Sequence, residues 1–125
     1  MPAKRRILVV DDDRFVLSVV ARVLQKEGYD VVAVKSGELA CEATLTERFD
    51  LVVTDHCMPG MTGKQLVDIL RQRHPSLPIL QISGANDSES LVADDVRSLA
   101  KPFDIRALRV AVHSLLPVLM VLAGS

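Results

Sequence analysis

Short β-branched runs alternate with amphipathic, helix-forming segments along the whole of this 125-residue chain. The runs have the composition of buried parallel strands, which are hydrophobic on both faces. A chain of this length fits one domain, and alternating strands and helices predict an α/β fold: a doubly wound parallel sheet with helices on both faces. Five such units are too few for an eight-stranded barrel. The predicted strands span residues 6–10, 31–34, 51–54, 78–82 and 96–100.

Helix caps and helix stops mark out the segments between these strands. An Asp or Ser at a helix start accepts hydrogen bonds from free backbone N–H groups, and Gly or Pro ends the helix. We expect the fourth helix to be short and weakly helical, because residues 86–95 have to supply both the helix and its loop. The predicted helices begin at the caps Asp13, Ser36 and Asp104 and at residues 64 and 88.

Composition excludes several classes of protein. A net charge of -1 and four aromatic residues (three Phe and one Tyr) argue against nucleic-acid binding. Cys41 and Cys57 are too few for a disulfide scaffold and lack metal-ligand spacing. There is no secretory h-region, and the longest apolar stretch, residues 115–123, is too short to cross a bilayer. We therefore expect a cytoplasmic protein that binds neither nucleic acid nor membrane.

The carboxyl ends of the predicted strands carry the residues suited to chemistry. In an open parallel sheet, ligands bind beyond these ends. Clustered carboxylates stay ionised together when a cation joins them, and a site with few oxygen ligands suits Mg²⁺. One carboxylate can then act as a nucleophile toward a phosphoryl group, while a lysine neutralises the developing charge. The residues at these ends are Asp11, Asp12, Asp13, Asp55, Ser83, Gly84 and Lys101.

Each of these residues also has a purely structural interpretation. Asp13 is suited to capping a helix, Asp55 could be a turn residue, and Lys101 could be a solvated loop lysine. Their positions at matching ends of different strands favour a joint site over separate coincidences.

Five segments of the sequence together resemble the receiver domain of two-component response regulators. They span most of the chain in the family's order, and the resemblance implies a flavodoxin-like sheet of strand order 2-1-3-4-5 in a single receiver domain at residues 1–125. The segments are ILVVDDD (7–13), GYDVVAVKSGELA (28–40), DLVVTDHCMPGMTG (50–63), PILQISG (78–84) and AKPFD (100–104).

The resemblance also implies roles for individual residues. It makes Asp55 the phosphoacceptor, which would take its phosphoryl group from a sensor histidine kinase in the presence of Mg²⁺. The implied metal ligands are Asp11, Asp12, Asp55 and the backbone carbonyl of Cys57. The implied phosphate-binding and switch residues are Ser83, Gly84 and Lys101.

The chain departs from the family pattern in two places. Ser98 stands where the family usually has an aromatic residue coupled to the switch hydroxyl, and a serine cannot fill or vacate an aromatic-sized pocket. Together with the short fourth helix, this predicts an altered output face toward the downstream protein or fused output domain. Residues 118–125 form an apolar tail that folds back onto the domain, contacts a second copy in a homodimer, or links to an output domain; the sequence leaves these alternatives open.

Two residues within these motifs or close to them are interpreted as structural. His56 is expected to be a partly exposed loop histidine, and Cys41 a core or half-buried residue of the second helix.

Three other functions compete with a phospho-accepting receiver. A Mg²⁺-dependent phosphohydrolase would need a second carboxylate two residues after Asp55, where Cys57 stands. A receiver-like interaction module that works without phosphorylation would not need the acidic pair, Ser83 or Lys101. A dinucleotide-binding domain would need a glycine-rich loop where the first strand runs into aspartates.

Overall fold

A five-stranded parallel sheet lies at the centre of the structure, a computed structural model that describes residues 4–56, 58–83, 96–100 and 104–116. The strands are β1 (Arg6–Val10), β2 (Asp30–Val34), β3 (Leu51–Asp55), β4 (Ile79–Ser83) and β5 (Val96–Ala100). The helices among the described residues are α1 (Arg14–Lys26), α2 (Gly37–Thr46), α3 (Gly63–Arg73) and α4 (Ile105–Leu115). The strand order is β2-β1-β3-β4-β5, which confirms the predicted doubly wound fold.

The element boundaries follow the predicted caps, with small corrections. Asp13, Ser36 and Asp104 each accept backbone hydrogen bonds at a helix start, as expected. The strand predicted at 78–82 instead spans Ile79–Ser83, because Pro78 has no N–H to donate to the ladder. The short helix predicted at 88–93 and the apolar tail at 118–125 lie outside the described residues. Within the described part of the chain, no helix has both the length and the apolar character that a membrane crossing requires.

Strand register brings the carboxyl ends of the strands to one edge of the sheet. Thr54 pairs with Val10 on one side and with Gln81 on the other. Asp55 pairs with Ile82 one residue later. The carboxyl ends of β1, β3 and β4 are therefore neighbours in space although they lie far apart along the chain.

Two apolar cores hold the sheet between its helices. The first lies on the side of α1 and α4, and the second on the side of α2 and α3. Alternate residues of the central strands enter opposite cores, as the pleat requires: Ile7 and Val9 belong to the first, while Leu8 and Val10 belong to the second. Fully buried residues on both sides explain why the strands read as continuous apolar runs in the sequence.

Ion pairs close the amino edge of the sheet, opposite the carboxyl ends. The Arg6 guanidinium bonds Asp30 at 3.1 Å and also contacts Glu47. It lies 5.4 Å from the centre of the Phe49 ring, and the Arg6 backbone N–H donates to Asp50 at 2.8 Å. These side chains are mostly exposed, so their charges are screened and they fix local geometry more than they stabilise the fold.

Replacing a core leucine of α3 should destabilise the domain far more than replacing an exposed leucine of α2. Leu70 is fully buried, whereas Leu45 is 67% exposed. We expect Leu70→Ala to lower the free energy of unfolding by about 2–5 kcal/mol, through lost burial and the cavity left behind. The matched control Leu45→Ala should change it by about 0.5 kcal/mol or less. Urea unfolding followed by circular dichroism measures both, and equal effects would contradict the assignment of Leu70 to the core.

Candidate functional site

Three carboxylates meet at the carboxyl edge of the sheet. Asp11 and Asp12 follow β1, and Asp55 is the last residue of β3. One carboxylate oxygen from each lies within 4.8 Å of the others. Asp11 and Asp55 are buried, whereas Asp12 is exposed and opens the cluster to solvent. The structure thus brings together the three side chains that were predicted from the sequence as metal ligands.

Asp13 is separate from this cluster and serves as the cap of α1. Its carboxylate accepts from the N–H groups of Phe15 at 2.9 Å and Val16 at 3.3 Å. Its own N–H donates to Asp11 Oδ1 at 2.9 Å, which orients the Asp11 carboxylate. The structural interpretation of Asp13 is therefore confirmed, and the cap also helps to position one member of the cluster.

The start of α3 packs directly against the backbone that follows Asp55. The Gly63 N–H donates to the His56 carbonyl at 2.9 Å. A Cβ at position 63 would lie 2.3 Å from the Asp55 carbonyl oxygen and 2.7 Å from His56 Cα. Thr62 and Gln65 form a capping box at this helix start and fix its direction. Only a glycine permits so close an approach of the helix to the strand end.

On β4, the site is bordered by buried polar side chains. Ser83, the last residue of the strand, is buried. Gln81 is buried as well, and its Nε2 lies 2.7 Å from Nδ1 of His56. His56 is half-buried, which confirms the expected partial exposure, but its bond to Gln81 was not anticipated.

Several residues named from the sequence lie outside the described part of the chain. These are Cys57, Gly84 and Lys101. Lys101 directly follows Ala100, which pairs in register with Ser83. The backbone of Ser98 pairs with Gln81 in the same ladder. The half-buried position predicted for Cys41, on α2 against the second core, is confirmed.

The cluster has the chemistry of a site for a hard divalent cation. Its donors are carboxylate oxygens alone, the ligand type that Mg²⁺ and Ca²⁺ prefer over nitrogen or sulfur. Three like charges so close together, two of them buried, repel one another, and a cation offsets that repulsion. With three carboxylates converging from the described part of the chain, coordination positions are left for water or a substrate oxygen, which suits Mg²⁺.

Comparison with known proteins decides the family. The sequence profile described as "Response regulator receiver domain" matches residues 7–113. This chain belongs to that family. The receiver domain is the signalling module of two-component systems, and members of the family act as phosphoacceptors rather than as enzymes that turn over a separate substrate.

The relatives of this receiver domain include much longer proteins. The response regulator protein FleR of Pseudomonas aeruginosa is 40% identical over 116 residues, which cover 88% of this chain and 24% of FleR. The alkaline phosphatase synthesis transcriptional regulatory protein PhoP of Bacillus subtilis is 34% identical over 119 residues, which cover 90% of this chain and 48% of PhoP. The chain thus spans less than half the length of these two relatives.

A solved structure of receiver length agrees with the fold described above. The crystal structure of the chemotaxis protein CheY4 of Vibrio cholerae matches with a TM-score of 0.84 and 28% identity. The match covers 91% of this receiver domain and 100% of that chain.

Gly63 and Gln81 are not among the site residues that the sequence predicted. A glycine at a helix start gives no sign that the helix meets a strand end. A glutamine within the apolar run PILQI was a visible signal, because an uncharged polar side chain in a buried strand needs a partner.

Adding one methyl group at Gly63 should disturb the site more than adding one at Gly37. Both glycines are the first residues of helices, but a Cβ added at position 63 would meet backbone atoms, whereas one added at position 37 would meet the flexible Met61 side chain at 2.8 Å. We expect Gly63→Ala to destabilise the domain by about 1–3 kcal/mol and Gly37→Ala by distinctly less. Thermal unfolding compares the two, and equal shifts in Tm would contradict the close approach at Gly63.

Proposed function

We propose that this receiver domain accepts a phosphoryl group on Asp55 from a sensor histidine kinase and thereby switches a downstream protein or a fused output domain. The observation that carries the proposal is the convergence of Asp11, Asp12 and Asp55 within 4.8 Å at the carboxyl edge of a receiver-type sheet. Asp55 is the last residue of β3, the central strand of the sheet.

Mg²⁺ is the proposed cofactor. Its ligands would be the carboxylates of Asp11, Asp12 and Asp55 and the backbone carbonyl of Cys57. When bound, the ion would neutralise charge on the transferring phosphoryl oxygens. Burial of Asp11 and Asp55 keeps these ligands in place before any ion arrives, while exposed Asp12 leaves a route from solvent.

The proposed reaction transfers one phosphoryl group between two nucleophiles. A carboxylate oxygen of Asp55 attacks phosphorus, the bond from phosphorus to the histidine nitrogen breaks, and the electron pair stays on that nitrogen, which then takes up a proton. The product is an acyl phosphate on Asp55, and attack by water returns the carboxylate and inorganic phosphate. Lys101 would hold the phosphoryl oxygens by charge, and Ser83 would donate a hydrogen bond to one of them beside Gly84, which has no side chain to obstruct it.

Ser83 is the proposed switch residue. Its position at the end of β4, in register with Ala100, supports a role in linking the phosphoryl group to β5 at the edge of the sheet. With Ser98 in place of a large side chain on β5, the response there would rely on small polar groups. We further propose that residues 1–125 act as one receiver unit.

Phosphorylation should require both Asp55 and a divalent cation. We expect incubation with acetyl phosphate and Mg²⁺ to add one phosphoryl group to the protein, and Asp55→Asn to abolish the gain, because an amide is not a competent nucleophile. Intact-mass spectrometry measures the product. Asp68→Asn, an exposed change on α3, serves as the matched control and should label like the wild type. Full labelling of Asp55→Asn would overturn the proposal, and a wild type that never labels would favour an interaction module independent of phosphorylation.

Mg²⁺ affinity should depend on Asp12 and not on its neighbour Asp13. We expect Asp12→Asn to weaken Mg²⁺ binding by about tenfold or more, since it removes one of three carboxylates from the cluster. Asp13→Asn should leave the affinity within about twofold, because Asn also caps helices. Titration of Mg²⁺ followed by amide chemical shifts measures both constants. Unchanged affinity in Asp12→Asn would exclude that residue from the metal site.

A further inference from the structure

Gln81 is a polar residue buried at the centre of β4, between two apolar residues. It is 5% exposed, and its neighbours Leu80 and Ile82 enter the first core. A buried amide without a hydrogen bond destabilises a fold. The bond from Gln81 to His56, with 2.7 Å between the two nitrogens, supplies that partner. This bond points from β4 directly to the residue that follows the phosphoacceptor.

His56 is held at three of its atoms. Its backbone N–H donates to the Ile82 carbonyl at 2.7 Å, and its carbonyl accepts from the Gly63 N–H at 2.9 Å. The third bond joins its ring to the Gln81 side chain. The backbone of residue 56 is therefore fixed by β4 and α3, while the ring is fixed by Gln81. Asp55 is joined to this fixed point by one peptide bond.

The contact with Gln81 selects one tautomer of the neutral His56 ring. An amide nitrogen donates and does not accept, so Nδ1 of His56 must be the acceptor. In the neutral imidazole the proton then resides on Nε2. Without the amide, neither tautomer would be selected by this contact and the ring would be free to change its rotamer.

We propose that Gln81 is a positioning residue for the phosphoacceptor, acting through the imidazole of His56. This inference rests on the proposed function of Asp55. The amide locks the ring, and the locked ring restrains the backbone of His56, which is joined to Asp55 by one peptide bond. Small displacements of a reacting group slow a transfer reaction considerably. Gln81 itself need not touch the phosphoryl group.

The first arm of the test reads the ring directly and needs no phosphorylation. At alkaline pH, where imidazoles are neutral, long-range proton–nitrogen NMR identifies the tautomer of His56. We expect the Nε2–H form in the wild type and in the control Gln25→Met, an exposed glutamine of α1. Gln81→Met has a similar volume but no amide, and it should raise the fraction of the Nδ1–H tautomer. Unchanged tautomer fractions in Gln81→Met would overturn the proposal.

The second arm measures the rate of phosphorylation of Asp55 by acetyl phosphate. We expect Gln81→Met and His56→Phe each to slow it by about threefold or more, and the double variant to be no slower than either single one, because both remove the same contact. Additive losses, or a wild-type rate in Gln81→Met, would overturn the proposal. If Gln81→Met does not fold, His56→Phe and His56→Asn replace it, because Asn keeps an acceptor near the Nδ1 position. A phosphorylation rate that is restored in His56→Asn supports the proposal. An equal loss of rate in both variants contradicts it.

The two arms separate this inference from the function on which it rests. A wild type that shows the Nε2–H tautomer but never labels would refute Asp55 as phosphoacceptor and with it any positioning role of Gln81. A wild type that labels at full rate while Gln81→Met does the same refutes the role of Gln81 alone.

Discussion

Repulsion among three carboxylates is the constraint around which the rest of this receiver domain is arranged. Asp11, Asp12 and Asp55 come within 4.8 Å of one another, with two of them buried. Like charges so placed destabilise a folded state unless a cation or a hydrogen-bond donor offsets them. The fold keeps the cluster because parallel register forces the ends of β1 and β3 together, and that register is set by the two apolar cores. Stability from the cores thus sustains an unfavourable arrangement at the edge, as is common at functional sites.

A hydrogen bond at the start of α1 and a close backbone contact at the start of α3 join these helices to the carboxyl edge of the sheet. Asp13 caps α1 and at the same time donates its N–H to Asp11, so that beginning the helix also orients a member of the cluster. At α3, the close approach of Gly63 to the backbone of residues 55 and 56 ties the helix start to the end of β3. Helix placement and site geometry are therefore not independent. A change that moves the start of α1 or α3 also displaces Asp11 or the backbone of Asp55.

The sequence predicted those features that depend on local pattern. Apolar runs predicted the strands, capping residues predicted the helix starts, and the strand-end aspartates predicted the cluster. Individual side-chain contacts between neighbouring elements were not predicted. The bond between Gln81 and His56 exists because Thr54, two residues before His56, pairs with Gln81, and no local pattern encodes that pairing. The need for glycine at position 63 depends in the same way on where α3 meets β3. The roles of Cys57, Gly84 and Lys101 stay predictions from the resemblance.

The two edges of the sheet carry different electrostatic arrangements. At the amino edge, Arg6 pairs with Asp30 and Glu47, so opposite charges already offset one another. A cation or phosphoryl group arriving there would have to displace existing pairs. At the carboxyl edge, three carboxylates lie within 4.8 Å of one another, an arrangement that favours the binding of a divalent cation. A phosphoryl group on Asp55 would then change the charge only at this edge, where Ser83 ends β4 and the start of α3 packs against the backbone of Asp55.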